Sequence, residues 1–149
     1  MDKRTKKLNI KIRRIQQKST EKADCGIACV AMVTGKSYSD VFSELSHKDK
    51  DGEYYTRHQD LIKVIKKLGK GAVLKVEQKR FNEYKSISGL AIVAVNKRKE
   101  RKGRYWHWIV FNGEGRVPYI LDPKPGKYGK ITDFRGLRAF GNYIQIIYR

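Results

Sequence analysis

Apolar and polar residues alternate with a helical period in the first half of the chain. Over 24–34 the apolar residues recur at helical spacing, and Gly35 follows as a stop signal. The same period predicts two further helices, over 37–46 and 56–68. The amino-terminal half is therefore predicted to be helical.

The second half of the chain follows the two-residue period of β-strands. Short runs rich in Val, Ile, Tyr and Trp are separated there by polar and glycine-containing segments. The run over 90–95 is continuously apolar, which is typical of a central strand buried on both faces. Helices first and antiparallel strands later indicate an α+β domain. Strands are predicted over 73–76, 90–95, 105–111, 117–123 and 143–148.

Cysteine chemistry is favoured at the start of the first predicted helix. Cys25 falls in its first turn, where unpaired backbone N–H groups and the positive end of the helix dipole favour a thiolate over a thiol. Cysteine is also among the most buried residue types, so Cys25 and Cys29 taken alone read more readily as core residues. The residues that the later strands bring to this helix decide between the two interpretations.

A predicted hairpin supplies partners for the thiol. If the turn over 112–116 is centred on the Glu114–Gly115 bond, His107 and Asp122 lie directly opposite each other, with Cβ atoms about 4.5–5.5 Å apart. A carboxylate in that position can hold one imidazole nitrogen and leave the other for a thiol. His107 and Asp122 therefore form a candidate catalytic triad with Cys25.

The two tryptophans beside His107, and the histidine at position 58, are predicted to have no part in catalysis. Trp106 and Trp108 alternate with His107, so a regular strand directs them to the opposite face, where we expect them to pack in the core. His58, in the first turn of the third predicted helix, is expected to be exposed.

Taken together, these motifs resemble the C39-like cysteine peptidases of the papain-like clan. The resemblance runs from about Gln16 to Tyr148, and its motifs fall in the order of the family. They are the run from Asp24 to Met32, its continuation over 35–42, the helix over 61–69, the strand over 91–95, His107 to Val110, and Leu121 to Pro123. The resemblance implies a papain-like α+β fold with amino-terminal helices packed on an antiparallel sheet.

The resemblance also implies a role for each candidate residue. Cys25 would be the nucleophile, His107 the general base and Asp122 the orienting carboxylate. A glutamine before the cysteine would help to form the oxyanion hole, and of Gln16 and Gln17 we favour Gln17. The expected activity is hydrolysis of a peptide or related amide bond in a peptide or protein substrate, through a thioester and without metal or organic cofactor. Acyl transfer to an amine and isopeptide hydrolysis stay open.

Length and composition fit one domain with a basic extension. The 149 residues, 40% of them hydrophobic, are enough to bury one core. We expect a basic arm over 1–15, disordered in part, followed by a single C39-like cysteine peptidase domain over 16–149.

A large excess of positive charge suggests an anionic partner. The chain carries 34 Lys and Arg against 15 Asp and Glu, a formal net charge of +19, and such an excess attracts polyanions. Cationic residues concentrate in the basic arm and in a predicted hairpin loop over 97–104. The alternative function is therefore a nucleic-acid- or polyanion-binding protein on a peptidase-like fold, with a nucleic acid or an acidic protein bound at these segments. A solubilising surface would explain the same charges.

The sequence gives no sign of export or membrane insertion. Residues 1–18 lack the apolar core of a signal peptide, and no run approaches the roughly 20 apolar residues of a membrane span. Cys25 and Cys29 lie on one predicted helix and are poorly aimed for a disulfide, so a reduced, cytoplasmic protein is expected. These cysteines with His107 and Asp122 would also make four zinc ligands, but structural zinc usually draws on loop-borne cysteine pairs.

Overall fold

Three α-helices and a five-stranded antiparallel sheet form the computed structural model of the chain, which describes residues 12–18, 24–45, 57–100 and 103–149. The helices are α1 (Cys25–Thr34), α2 (Tyr38–Leu45) and α3 (His58–Leu68). The strands are β1 (Val73–Arg80), β2 (Leu90–Glu100), β3 (Gly103–Asn112), β4 (Tyr119–Leu121) and β5 (Ala139–Tyr148). The predicted α+β class is confirmed.

Local signals set the ends of the helices close to their predicted positions. α1 ends at Gly35, whose φ of 72° lies in the left-handed region that glycine adopts without strain. The Ser37 hydroxyl accepts a hydrogen bond from the Asp40 N–H (3.0 Å) at the start of α2. α3 begins at His58, and its predicted start at Thr56 lies outside the described residues. No helix in the described ranges is long and apolar enough to cross a membrane.

The sheet has the strand order β1-β5-β2-β3-β4, and every neighbouring pair is antiparallel. β2 is the central strand, as its continuous apolar run predicts. Because successive residues of a strand point to opposite faces, its side chains divide between two cores. Ile92 and Ala94 join the core that contains the helices, whereas Ala91 and Val93 face a second core on the other side of the sheet.

α1 is buried along its whole length and lies between the sheet and the other helices. Each of its ten residues is buried, and the helix packs against α2, α3, β2 and β3. The small side chains of Ala28 and Ala31 permit this close packing. The first turn of α1 is therefore held at the sheet by the packing of the entire helix.

Two segments differ from the predicted strands and loops. The segment over 97–104 was predicted to be a hairpin loop, but all of its described residues belong to strands. β2 extends to Glu100, and β3 begins at Gly103. Ladder hydrogen bonds are made by the backbone, so a run of charged side chains does not end the pairing. The predicted strand over 117–123 is shorter, and β4 begins only after Pro118, which has no N–H to donate.

The end of the predicted basic arm packs against the domain. Ile12 and Ile15 contact the core that contains the helices. Arg14 donates from Nε to the Asp122 carbonyl (2.8 Å) and from Nη2 to the Lys124 carbonyl (2.7 Å). Residues 1–11 of the predicted arm lie outside the described residues.

Candidate active site

α1 presents its first residue, Cys25, to β3. The side chain is 4% exposed, and its Sγ accepts a hydrogen bond from the Trp108 N–H at 3.4 Å. Backbone N–H groups in this turn have no carbonyl partner within the helix. The N-cap residue Asp24 makes no side-chain bond to the helix end, since its carboxylate binds other groups. The thiol therefore faces the positive end of the helix dipole.

His107 on β3 lies between this thiol and a carboxylate. Its Nε2 is 2.6 Å from Asp122 Oδ1, which leaves Nδ1 for the hydrogen bond with Cys25. Burial lowers the pKa of His107, but the hydrogen bonds and negative charges of Asp122 and Cys25 outweigh burial and raise this pKa to about 9. The geometry thus stabilises an imidazolium at neutral pH beside the sulfur of Cys25.

Asp122 follows β4 and is almost fully buried, with 2% of its surface exposed. Its Oδ1 also accepts the Lys124 N–H at 2.9 Å. Burial raises the pKa of this carboxyl, but the hydrogen bond and charge of His107, the Lys124 N–H and the charge of Lys127 together lower it below its ordinary value. The ionised carboxylate holds the imidazole in one orientation.

The prediction that His107 and Asp122 lie directly opposite each other is wrong by two residues. β3 and β4 pair from Val110↔Leu121 to Asn112↔Tyr119, so the connection turns one residue later than predicted. A two-residue change of register keeps both side chains on the same face of the sheet. They therefore meet diagonally, across a spacing that a long side chain can span.

Gln17 lies in the cleft beside Cys25, whereas Gln16 is exposed. The Gln17 side chain is 5% exposed. Its backbone N–H donates to the Pro123 carbonyl (2.9 Å), and its Nε2 donates to Asp24 Oδ1 (3.3 Å). These bonds fix the segment before α1 against both the helix start and the turn after β4.

Asp24 anchors the same segment from within the core. The residue is fully buried, and besides Gln17 its carboxylate accepts the Lys18 N–H (2.7 Å) and the Tyr38 hydroxyl (2.5 Å). It thereby ties the residues before α1 to the start of α2. Sequence spacing does not reveal this role, because the three donors come from two separate segments, one on each side of α1.

The candidate residues line a cleft of about 510 Å³, a volume within the range of ligand-binding sites. The rest of its lining consists of Asn96, Trp106, Lys124, Lys127, Gly136 and Leu137. Most of these residues come from turns and from a strand irregularity, which hydrophobic periodicity does not place. The cleft combines a thiol, an imidazole, a carboxylate and an amide, groups that together can perform acyl transfer through a covalent intermediate.

Asn96 enters the cleft at a break in the β2 ladder. Its φ of 54° lies in the left-handed region, and the register between β2 and β3 shifts between Val95 and Arg98. Asparagine tolerates this backbone better than most residues, and its Oδ1 accepts the Arg138 N–H at 3.0 Å. An asparagine directly after an apolar run is the sequence signal that could have indicated this bulge.

Two predictions about aromatic residues need correction. Trp108 is buried in the core as predicted, but Trp106 is half-buried, packs edge-on against Phe140 (5.8 Å between ring centres) and lines the cleft.

The prediction that His58 is exposed is wrong. Its Nε2 lies 3.0 Å from the Asn142 carbonyl and its ring packs 4.8 Å from that of Trp108, because α3 lies against β5. Burial lowers the pKa of His58.

Cys29 does not share the environment of Cys25. It is fully buried one turn further along α1, and burial, followed by the charges of Cys25 and Asp122, raises the pKa of its thiol well above the ordinary value. Both cysteines are free thiols. Across the described ranges, no three His, Cys, Asp or Glu side chains are grouped so as to hold a metal ion, which leaves the zinc alternative without support there.

The surface expected to bind an anionic partner falls mainly outside the described residues. Residues 1–11 and 101–102, and the side chains over 98–105, belong to that part of the chain. Of the 97–104 segment, Lys97 is described, and its Nζ lies over the Phe140 ring, 5.1 Å from its centre. The basic rim around the cleft stays a prediction.

Comparison with known proteins identifies a family for most of the chain. A family model described as Peptidase C39 family matches residues 6–135 and thus includes all of the candidate site residues, Gln17, Cys25, His107 and Asp122. The resemblance drawn from the sequence motifs is confirmed. No curated protein matches the chain.

Proposed function

The chain belongs to the peptidase C39 family, and we propose that it hydrolyses a peptide bond with Cys25 as its nucleophile and a papain-like arrangement of His107 and Asp122. The observation that carries this proposal is the continuous set of hydrogen bonds from the thiol through the imidazole to the carboxylate, within one cleft. Family membership independently supports a peptidase acting on a peptide or protein substrate.

In the first half of the proposed reaction, the Cys25 thiolate attacks the carbonyl carbon of the substrate and a C–S bond forms. The resulting oxyanion accepts hydrogen bonds from the Cys25 N–H and from Gln17 Nε2. Protonated His107 donates its Nδ1 proton to the leaving nitrogen as the C–N bond breaks. The products of this half are a free amine and a thioester on Cys25.

In the second half, neutral His107 takes a proton from a water molecule, which attacks the thioester carbonyl. The C–S bond breaks, the acid product leaves, and the thiolate and imidazolium are regenerated. Asp122 stays ionised throughout and accepts the hydrogen bond from Nε2 of the imidazole. An amine in place of the water would give acyl transfer instead of hydrolysis.

A peptide digest in heavy-oxygen water tests this proposal. The protein is incubated with a random peptide library in H₂¹⁸O, and the products are identified by mass spectrometry. Hydrolysis adds one ¹⁸O atom to each new carboxyl terminus, whereas transfer to an amine adds none. A library left intact by the wild type, or cut equally by Cys25→Ala, would refute the proposal.

Gln17→Ala should reduce turnover of a library-derived peptide by about a hundred- to a thousandfold, the usual effect of removing one oxyanion donor. Gln16→Ala is the matched control, because this neighbouring side chain is exposed, and it should keep near wild-type turnover. Steady-state kinetics of both variants provide the measurement. If Gln16→Ala loses activity while Gln17→Ala keeps it, the donor has been assigned to the wrong residue.

The pH profile of hydrolysis should have an alkaline limb near pH 9. His107 is protonated below its pKa of about 9 and donates to the leaving nitrogen, and it loses this proton as the pH rises through that value. Asp122→Asn removes a hydrogen-bonded negative charge that raises this pKa, so the limb should move to lower pH. The kcat/KM of each protein is measured as a function of pH.

Asp133→Asn is the control for this shift. Asp133 is exposed and bonded to Arg135 instead of to the triad, so its replacement should leave the alkaline limb near pH 9. An alkaline limb that stays in place in Asp122→Asn, or that moves equally in both variants, would show that Asp122 does not set the charge of His107.

A further inference from the structure

Two lysines line the cleft and have no carboxylate partner among the residues that the structure describes. Lys124 and Lys127 both contribute to its wall, and the single acidic side chain in the described part of the lining is Asp122, which is bonded to His107. Four lysines elsewhere on the described surface, Lys67, Lys75, Lys79 and Lys85, do pair with glutamates, as in Lys67–Glu44 at 2.9 Å. Among the described residues, no carboxylate lies within ion-pair distance of either cleft lysine.

The backbone that carries these lysines is fixed. The Lys127 N–H donates to the Lys124 carbonyl (3.2 Å), closing a turn directly after Asp122. Arg14 donates to the Lys124 carbonyl (2.7 Å), and its guanidinium lies over the Tyr128 ring, 4.9 Å from its centre. The two cationic side chains therefore extend from a turn that these contacts hold directly after Asp122.

The charge balance of the cleft favours an anion. With Asp122 and a Cys25 thiolate as its anions, and the His107 imidazolium, Lys124 and Lys127 as its cations, the described lining carries one positive charge in excess. A peptide backbone brings no charge into this space. A substrate carboxylate next to the reacting bond would supply a counter-charge at ion-pair distance, which the described residues do not provide to Lys124 and Lys127.

We propose that the cleft selects peptides with Asp or Glu side chains close to the scissile bond, an inference that rests on the peptidase function proposed above. Lys124 and Lys127 are the specificity-determining residues. A lysine ammonium acts as a point charge, which suits a carboxylate at variable distance along an extended peptide. The lysines lie in a cleft beside the nucleophile, a position that favours an acidic peptide over the broad phosphate backbone of a nucleic acid.

The electrostatic part of this proposal is measured without any substrate. Cys25 is alkylated with anionic iodoacetate and with neutral iodoacetamide, and the ratio of the two rate constants is compared between proteins by peptide mass spectrometry. In the double variant Lys124→Glu/Lys127→Glu this ratio should fall about tenfold at low ionic strength, and the difference should largely disappear in about 1 M salt.

The matched control is Lys63→Glu/Lys66→Glu, which makes the same change in net charge at exposed positions of α3 that do not line the cleft. Its ratio should stay within about twofold of the wild-type value, because the Coulomb energy between these charges and the iodoacetate in the cleft falls with distance. If Cys25 reacts readily but both double variants give the same ratio, the selectivity proposal is overturned while the peptidase proposal stands. Failure of the peptidase proposal shows separately, as an intact peptide library.

Competition then identifies the anion. An acidic peptide of alternating Glu and Ala should protect wild-type Cys25 from iodoacetamide better than its Gln–Ala counterpart, and the Lys124→Glu/Lys127→Glu variant should lose this difference. In the library digest, Asp and Glu should be enriched near the cut sites of the wild type. Stronger protection by a single-stranded oligonucleotide than by the acidic peptide would overturn the assignment to a peptide.

Discussion

Peptide hydrolysis by Cys25→Ala should fall by about a millionfold, to the background level, because the covalent route requires the thiolate. Cys29→Ala is the control on the same helix. The Cys29 side chain is fully buried and away from the cleft lining, so its loss should lower the free energy of unfolding by about 1–2 kcal/mol and leave turnover within a few-fold of the wild type.

Thermal unfolding and peptide kinetics on both cysteine variants separate these effects. Cys25→Ala should unfold near the wild-type temperature, since one small atom is removed at the edge of the core. A Cys25→Ala protein that folds and still cleaves peptides would exclude the thioester route. Loss of activity in Cys29→Ala without loss of fold would place the nucleophile one turn away from the proposed residue.

His107→Ala should reduce hydrolysis by a comparable factor, about a millionfold, because groups that act as one unit fail together. The imidazole supplies the positive charge beside the thiolate and the proton for the leaving nitrogen. The combined variant Cys25→Ala/His107→Ala should therefore be no less active than either single variant. Losses that multiply in the combined variant would mean that the two residues act independently.

The secondary structure could be predicted because hydrophobic spacing reports burial. The helical spacing of apolar residues and the glycine at position 35 correctly predicted the end of α1. The continuous apolar run of β2 correctly predicted the central strand of the sheet. The register between β3 and β4 could not be predicted to the residue, since it depends on the length of a connection that contains Pro118. The error was an even number of residues, so His107 and Asp122 still share a face.

The chemistry of the cleft was predictable only where it resides in reactive residue types. Cysteine, histidine and aspartate are few and can be matched to a motif, and Gln17 follows from the same resemblance. Asn96, Lys124 and Lys127 could not be found in this way, because their place in the cleft depends on a bulge and on a turn held by Arg14. Neither contact leaves a periodic signal in the sequence.

The amino-terminal segment shows why charge alone misleads. Arg14 belongs to a run of basic residues that predicts a solvated or polyanion-binding arm. In the fold its guanidinium bonds to two carbonyl groups of the turn that carries Asp122 and Lys124. A cationic side chain can thus hold a turn beside the candidate site, and only its partners distinguish this role from surface charge.

The thiolate–imidazolium pair is the central claim, and alkylation of the two cysteines as a function of pH reports on it. Iodoacetamide is applied to the wild type and to His107→Ala, and modification of Cys25 and Cys29 is read separately by peptide mass spectrometry. Cys25 should react rapidly at pH 6, well below the pKa of about 8.5 of a free cysteine, and should lose this reactivity in His107→Ala. Cys29 should stay unreactive in both proteins. If Cys25 reacts no faster than Cys29 and is indifferent to His107, the ion pair does not exist and the peptidase mechanism is wrong.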